Sequence, residues 1–228
     1  MHIAARDIIL LFATRTIRLF AYGFISVVLA LYLAATGLGA TGVGAVLTAT
    51  LAGDILVSLW VTMVADRFGR RNMLLLGAAL MILSGLVFLF TTDPVWITLA
   101  AIIGIVSPSG GEIGPFLSIE QAALSQLVPD NRRTRLFGWY NLAGSFATAA
   151  GALAGGWLAQ WLQAIGWSGL EAYRFVMAGY AACGLALVLF FLFVSRQVEV
   201  VSVAAASADA SKRTLGLHRS HKVVFKLS

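Results

Sequence analysis

Six apolar runs, each long enough to cross a bilayer, constrain this chain more than any other feature: residues 8–34, 42–65, 73–91, 95–128, 136–162 and 172–195. About 20 helical residues cover the roughly 30 Å of hydrocarbon in a membrane. Within lipid the backbone must satisfy its own hydrogen bonds, so such runs fold as helices. Composition agrees: 60% of residues are hydrophobic and only 11% charged, against roughly a quarter charged in a soluble domain. The chain therefore reads as an all-α membrane protein, a six-transmembrane-helix bundle over residues 1–196 with a linker and tail over 197–228.

The net charge of +6 would suit nucleic acid if the basic residues shared one face, but they sit in the hinges between spans. With alternating helices, Arg6, Arg67, Arg70, Arg71, Arg132, Arg133, Arg135 and Arg196 fall on one side and Arg174 alone on the other. The positive-inside rule then places both termini in the cytoplasm; the expected location is the plasma membrane, multi-pass. Cys183 is single, so there is no disulfide framework. The first apolar run is long, interrupted by arginines and lacks a cleavage site, so it reads as helix one, not a signal peptide. No nucleophile–base pair, phosphate loop or metal-ligand spacing emerges; the reading is a non-enzyme with no cofactor and no metal. In the tail, Lys212 to Lys226 carries all three lysines with His218 and His221, a solvated basic segment.

The links are short. Ala34 to Thr41 carries no charge, Asp93-Pro94 suits a helix start, and the link around Gly166 to Glu171 is amphipathic, with Trp161 and Trp167 placed for an interfacial belt. The fourth run is too long for one straight crossing. Between Ser107 and Pro115 it holds two prolines and three glycines, which cannot sustain a helix. That break either lines a cavity or marks the outer helix end.

Ionisable side chains inside spans are costly and mark function or a buried pair. Five stand out as cavity, substrate or coupling candidates: Arg15, Arg18, Asp54, Glu112 and Glu120. At about 1.5 Å per residue, Arg18 lies roughly 15 Å into helix one and Asp54 roughly 18 Å into helix two. Matching depths predict an Arg18–Asp54 ion pair; alternatively Arg15 and Arg18 snorkel to the interface. Glu120 lies about 13 Å in from Pro129 by the same rise, and Glu112 falls in the broken segment. Gly151, Gly155 and Gly156, with Gly144 and Ala147, form a small-residue surface for close helix packing.

The hinge between the second and third runs reads Thr62-Met63-Val64-Ala65-Asp66-Arg67-Phe68-Gly69-Arg70-Arg71. Between two spans, this charged turn resembles the loop Gly-x-Leu-Ala-Asp-Arg-x-Gly-Arg-Arg of major facilitator superfamily transporters. The charged core matches; the leading Gly and Leu are Thr62 and Val64 here. With the six spans, the basic loop at Arg132, Arg133 and Arg135 and the Gly-rich fifth span, the chain looks like the N-terminal half of such a transporter. The resemblance implies that Asp66, Arg67, Gly69, Arg70 and Arg71 belong to an inner-side network governing conformational state. Two departures qualify it. The family's fourth-helix Arg-x-x-x-Gly-x-Gly has no arginine near Ala101 to Ile105. The antiporter motif Gly-Pro-x-x-Gly-Gly stands as Gly151-Ala152-Leu153-Ala154-Gly155-Gly156, without its proline. The implied function is secondary active transport of a small solute, leaning toward export (efflux), with a C-terminal half bundle or a second copy completing the pathway. The tail would then lead toward a seventh span. A six-helix homodimeric carrier and a non-transporting scaffold or regulator are the alternatives.

Overall fold

In a computed structural model the protein is a bundle of helices: α1 (His2–Ala35), α2 (Ala40–Phe68), α3 (Arg70–Phe90), α4 (Pro94–Ile103), α5 (Asp130–Ala164) and α6 (Gly169–Phe193). The structure describes residues 2–104, 106–108, 110, 116–117, 120–121, 124–125 and 128–193. Glu112 and the tail, with His218 and His221, lie outside these. Five of the helices are long and apolar enough to cross a membrane, and α4 is a shorter apolar helix. The described residues at 116–117, 120–121 and 124–125 are also helical.

Helix α1 is the axis of the bundle and packs chiefly on α5 and α6; α3 packs on α6, and α2 on α4. Leu11, Ile25, Val28, Leu29 and Leu33 of α1 are buried. Helix α2, by contrast, leaves Ile55, Leu56, Leu59, Trp60 and Met63 exposed. Only a membrane or a further helical layer can take such a face.

Close approach of α1 and α5 depends on glycine. A Cβ at Gly151 would overlap the carbonyl oxygen of Phe20, one at Gly155 that of Phe24, and one at Gly23 that of Thr148. Gly156 differs, because a Cβ there would only touch Val27 Cγ1 at 3.8 Å. Of the small residues on α5, then, Gly151 and Gly155 lie in the contact and Gly156 beside it. Gly23, their counterpart on α1, carries no sequence signal beyond being glycine.

The helix ends follow local chemistry. Asp93 caps α4, its Oδ1 accepting from the Val95 amide at 2.8 Å and the Trp96 amide at 3.4 Å, with Pro94 in the first turn. A capping box starts α6: the Glu171 carboxylate accepts from the Ser168 hydroxyl (2.8 Å) and amide (3.1 Å), and the Glu171 amide donates to Ser168 Oγ (3.3 Å). Between α2 and α3 the hinge is Gly69 alone, at φ +88°. That backbone conformation suits glycine and explains its place in the charged motif. Helix α4 ends at Ile103, a few residues before the Pro/Gly-rich stretch. Gly104 packs onto Ser84 of α3, and Gly110 takes a positive φ of +67°.

Gly155→Ala is expected to destabilise the bundle by about 1–3 kcal/mol through overpacking against backbone. Gly156→Ala should stay within about 0.5 kcal/mol. Thermal unfolding of the two variants in the same mild detergent compares them directly; equal midpoints would exclude the glycine contact as the reason for the close approach.

Candidate functional site

Arg18 and Glu120 form the centre of the bundle. Arg18 is fully buried, and its guanidinium grips the carboxylate with both ends, Nη1 to Oε1 at 2.7 Å and Nη2 to Oε2 at 2.8 Å. This bidentate geometry is the strongest form of the pairing. Tyr140 of α5 donates its hydroxyl to Oε2, and Thr14 donates to Oε1 at 3.4 Å. The ring of Phe116, one helical turn before Glu120, lies under the Arg18 guanidinium at 4.5 Å. A buried ion pair survives desolvation only when its remaining valences are met; here two further donors and an aromatic face meet them.

The predicted partner of Arg18 is therefore the wrong one. Asp54 is also buried, but neither of its oxygens has a hydrogen-bond partner among the described residues. Depth along a helix fixes height in the membrane but not direction around the axis, and α1 touches α2 only lightly. The space beside Arg18 belongs to Phe116, Glu120 and Tyr140. Neither Arg15 nor Arg18 snorkels to an interface: both are buried, with Arg15 5% exposed.

Arg15 takes the next position outward. Its guanidinium stacks on the Tyr140 ring at 4.0 Å and donates to Asn141 Oδ1 at 3.1 Å. Tyr140 thus serves both arginines, with its hydroxyl on the carboxylate that holds Arg18 and its ring under Arg15. Phe12 packs edge-on against it, 5.0 Å between centroids. Beyond Arg15 opens a cavity of about 590 Å³ lined by Arg15, Ser26, Gly110, Asn141, Gly144, Ser145 and Thr148 with a few apolar groups. Gly110 in this wall supports the cavity-lining reading of the broken fourth run. Sequence reasoning misses Tyr140, Asn141 and Phe116. For Phe116 a signal exists, because it stands at i−4 to Glu120 on one helix face.

At the other candidate region, Arg71 donates from Nε to the Phe191 carbonyl (3.1 Å) and from Nη2 to that of Leu192 (2.7 Å). Arg6 reaches the Phe193 carbonyl at 3.4 Å. Two arginines, one from α1 and one from the first turn of α3, thus bind carbonyls of the last described turn of α6. Arg133 holds the helical segment around Glu120 in the same way, through the carbonyls of Ser125 and Val128. The side chains of Asp66, Arg67 and Arg70 lie outside the described ones.

Removing either partner of the central pair leaves an uncompensated buried charge, so Arg18→Leu and Glu120→Leu are each expected to lose about 3–5 kcal/mol of stability. The double variant should recover much of that loss, while Arg18→Leu/Asp54→Leu should show no such recovery. Folded yield and thermal midpoints of the variants measure this; additive losses for Arg18 and Glu120 would contradict the pairing.

Comparison with known proteins agrees with this architecture. Residues 11–227 match the family model of the Major Facilitator Superfamily. An uncharacterized membrane protein of Saccharomyces cerevisiae is 37% identical over 199 residues, covering 86% of this chain and 44% of that protein. A D-xylose-proton symporter is 20% identical with a TM-score of 0.65, covering 91% of this chain and 53% of its own. A proton:xylose symporter bound to 6-bromo-6-deoxy-D-glucose is 16% identical, also with a TM-score of 0.65, covering 96% and 55%. The chain spans about half the length of these relatives. On the match across nearly its whole length, it belongs to the Major Facilitator Superfamily.

Proposed function

We propose that this chain supplies the N-terminal six-helix half of a secondary transporter that moves a small solute by alternating access. The observation that carries this reading is the polar cavity beside Arg15. Hydroxyl, amide and guanidinium groups line it within an apolar membrane bundle; the Ser26, Ser145 and Thr148 hydroxyls donate to carbonyls of their own helices, which leaves their lone pairs to accept from a solute. Rigid support lies directly behind it, in the Arg18–Glu120–Tyr140 cluster. The exposed apolar face of α2 and the polar face of α5 bearing Asn141 and Ser145 are the surfaces left for a second half bundle. The fourth apolar run crosses the membrane through the segment that bears Glu120, which brings the spans to six. Both termini face the cytoplasm, as the one-sided arginines suggest, and the membrane is proposed as the plasma membrane. The direction is export, on the partial antiporter-like pattern from Gly151 to Gly156.

The charged hinge governs switching between states, not solute binding. It stands at the rim, whereas carriers of this kind bind near the midplane. Arg71, anchored to α6, couples the hinge to that helix. Glu112, in the broken fourth run, is retained as a further coupling candidate.

The test is comparative solute profiling of cells that lack the full-length protein and cells that carry it. One solute class should be retained in the deletion strain, and Arg15→Ala or Asn141→Ala at normal abundance should reproduce that retention. Asp66→Asn should slow transport with affinity held within a few-fold. The 228-residue chain alone should insert, self-associate and carry no flux in liposomes. Normal export by the Arg15 and Asn141 variants would refute the cavity as the solute site, and robust flux by a monomeric chain would refute the half-bundle reading.

A further inference from the structure

The cavity beside Arg15 offers donors at one end and acceptors at the other, and that polarity narrows what it can hold. Arg15 brings the only formal charge among the described lining residues, and a guanidinium in a protein does not give that charge up. Behind it, the Arg18–Glu120 pair carries one charge of each sign and adds no net charge. Asn141 accepts from Arg15 through Oδ1 at 3.1 Å, which directs the N–H donors of its side-chain amide away from the guanidinium. Gly144 keeps this donor end open, because a Cβ there would stand 2.4 Å from Leu19 Cδ1 and 3.0 Å from Arg15 Nε.

The opposite end is built of acceptors. Ser26 and Thr148 meet there beside Gly110, where a Cβ would lie 3.3 Å from both Ser26 Oγ and Thr148 Cγ2. Ser26 donates its hydroxyl to the Gly23 carbonyl at 2.9 Å, and Thr148 donates to that of Gly144 at 3.2 Å. Ser145, between the two ends, donates to the Asn141 carbonyl at 3.2 Å. Each hydroxyl hydrogen is thus spent on its own helix, and lone pairs are what these oxygens offer a solute. Asn141 and Thr148 are two turns apart on α5, about 10 Å by the helical rise. That spacing separates the donor end from the acceptor end.

A cation would be repelled by Arg15, and the more strongly in a low-dielectric bundle. An apolar solute would strip water from the guanidinium, the amide and the hydroxyls and give them no partner in return. A carboxylate or phosphate matches the planar donor fork of a guanidinium. Hydroxyl groups on the same molecule supply the donors that the far end lacks. We propose that the cavity selects a small hydroxylated organic anion, with its oxyanion at Arg15 and Asn141 and its hydroxyls toward Ser145, Thr148 and Ser26. This assignment of solute class rests on the reading of the cavity as the solute site.

Equilibrium binding and thermal unfolding of the full-length protein in lipid nanodiscs test the assignment with one carbon skeleton in different charge states. The probes are gluconate and glucose 6-phosphate as anions, glucose as the neutral form and glucosamine as the cation. At least one of the anions should bind and raise the unfolding midpoint, while glucose and glucosamine should do neither. Arg15→Gln should weaken anion binding about tenfold or more, the loss of a charge-assisted contact, and Arg15→Lys should lose less. Thr148→Val should weaken gluconate binding about two- to tenfold and leave hexanoate, which has no hydroxyls, unchanged. Asn141→Asp sets a carboxylate beside Arg15 from an exposed position; it should match the loss in Arg15→Gln and serves in its place should that variant fail to fold. Glucose or glucosamine binding as well as the anions, or no binding by any of the four probes, would overturn the proposal. Full anion affinity in a folded Arg15→Gln or Asn141→Asp variant would do the same. Liposome flux separates this inference from the reading beneath it. Flux of a neutral or cationic solute without anion binding would sink the anion assignment alone, whereas anion binding without flux of that anion would count against the transport reading.

Discussion

The bundle is organised around a charge pair that has no access to water. Arg18 and Glu120 lie on helices whose mutual placement must be accurate enough for two parallel N–H···O contacts at 2.7 and 2.8 Å. The attraction between them is large in a low-dielectric interior, but so is the cost of stripping water from both. What tips the balance is the completeness of the shell: Thr14 and Tyr140 on the carboxylate, Phe116 under the guanidinium. Each shell member comes from a different stretch of chain, so the pair specifies how α1, α5 and the segment around Glu120 come together. Close contact between α1 and α5 is possible only because Gly23, Gly151 and Gly155 leave room for backbone against backbone.

Much of this fold was legible in the sequence because membrane helices are long and their ends are chemically marked. The runs ending at Ala34 and Thr91, the Asp93-Pro94 start and the Gly69 hinge all correspond to observed helix ends within a few residues. In each case one local rule decides the outcome, whether bilayer thickness, a side-chain cap or a positive φ. The same holds for Gly151 and Gly155, whose spacing on one helix face is fixed by the helical repeat. That Arg15, Arg18, Asp54 and Glu120 are buried was also legible, since the cost of a charge in lipid leaves them few other places.

Partner choice was not legible. Arg18 had two acids at similar depth, and nothing in a single sequence fixes how six helices are arranged around one another. Packing decides it, and packing here depends on residues that look unremarkable alone: Gly23 against Thr148, Phe116 against Arg18, Tyr140 between two arginines. Tyr140 reads in sequence as one more aromatic near the inner end of a span. Its role emerges only once α1 lies against α5, which brings the ring under Arg15 and the hydroxyl to Glu120.

The two buried acids end in opposite circumstances, and that contrast separates a part of the bundle fixed by many contacts from one held by few. Glu120 accepts from Arg18, Thr14 and Tyr140 and cannot leave without breaking contacts on each of them. Asp54 accepts from no described residue, on a helix with a light grip on the rest of the bundle. The chain of contacts from Asn141 through Arg15 and Tyr140 to Glu120 and Arg18 also runs from the cavity wall into the fixed part. Helix α2, which carries Asp54 and ends at the Gly69 hinge, is by contrast lightly packed among the described helices.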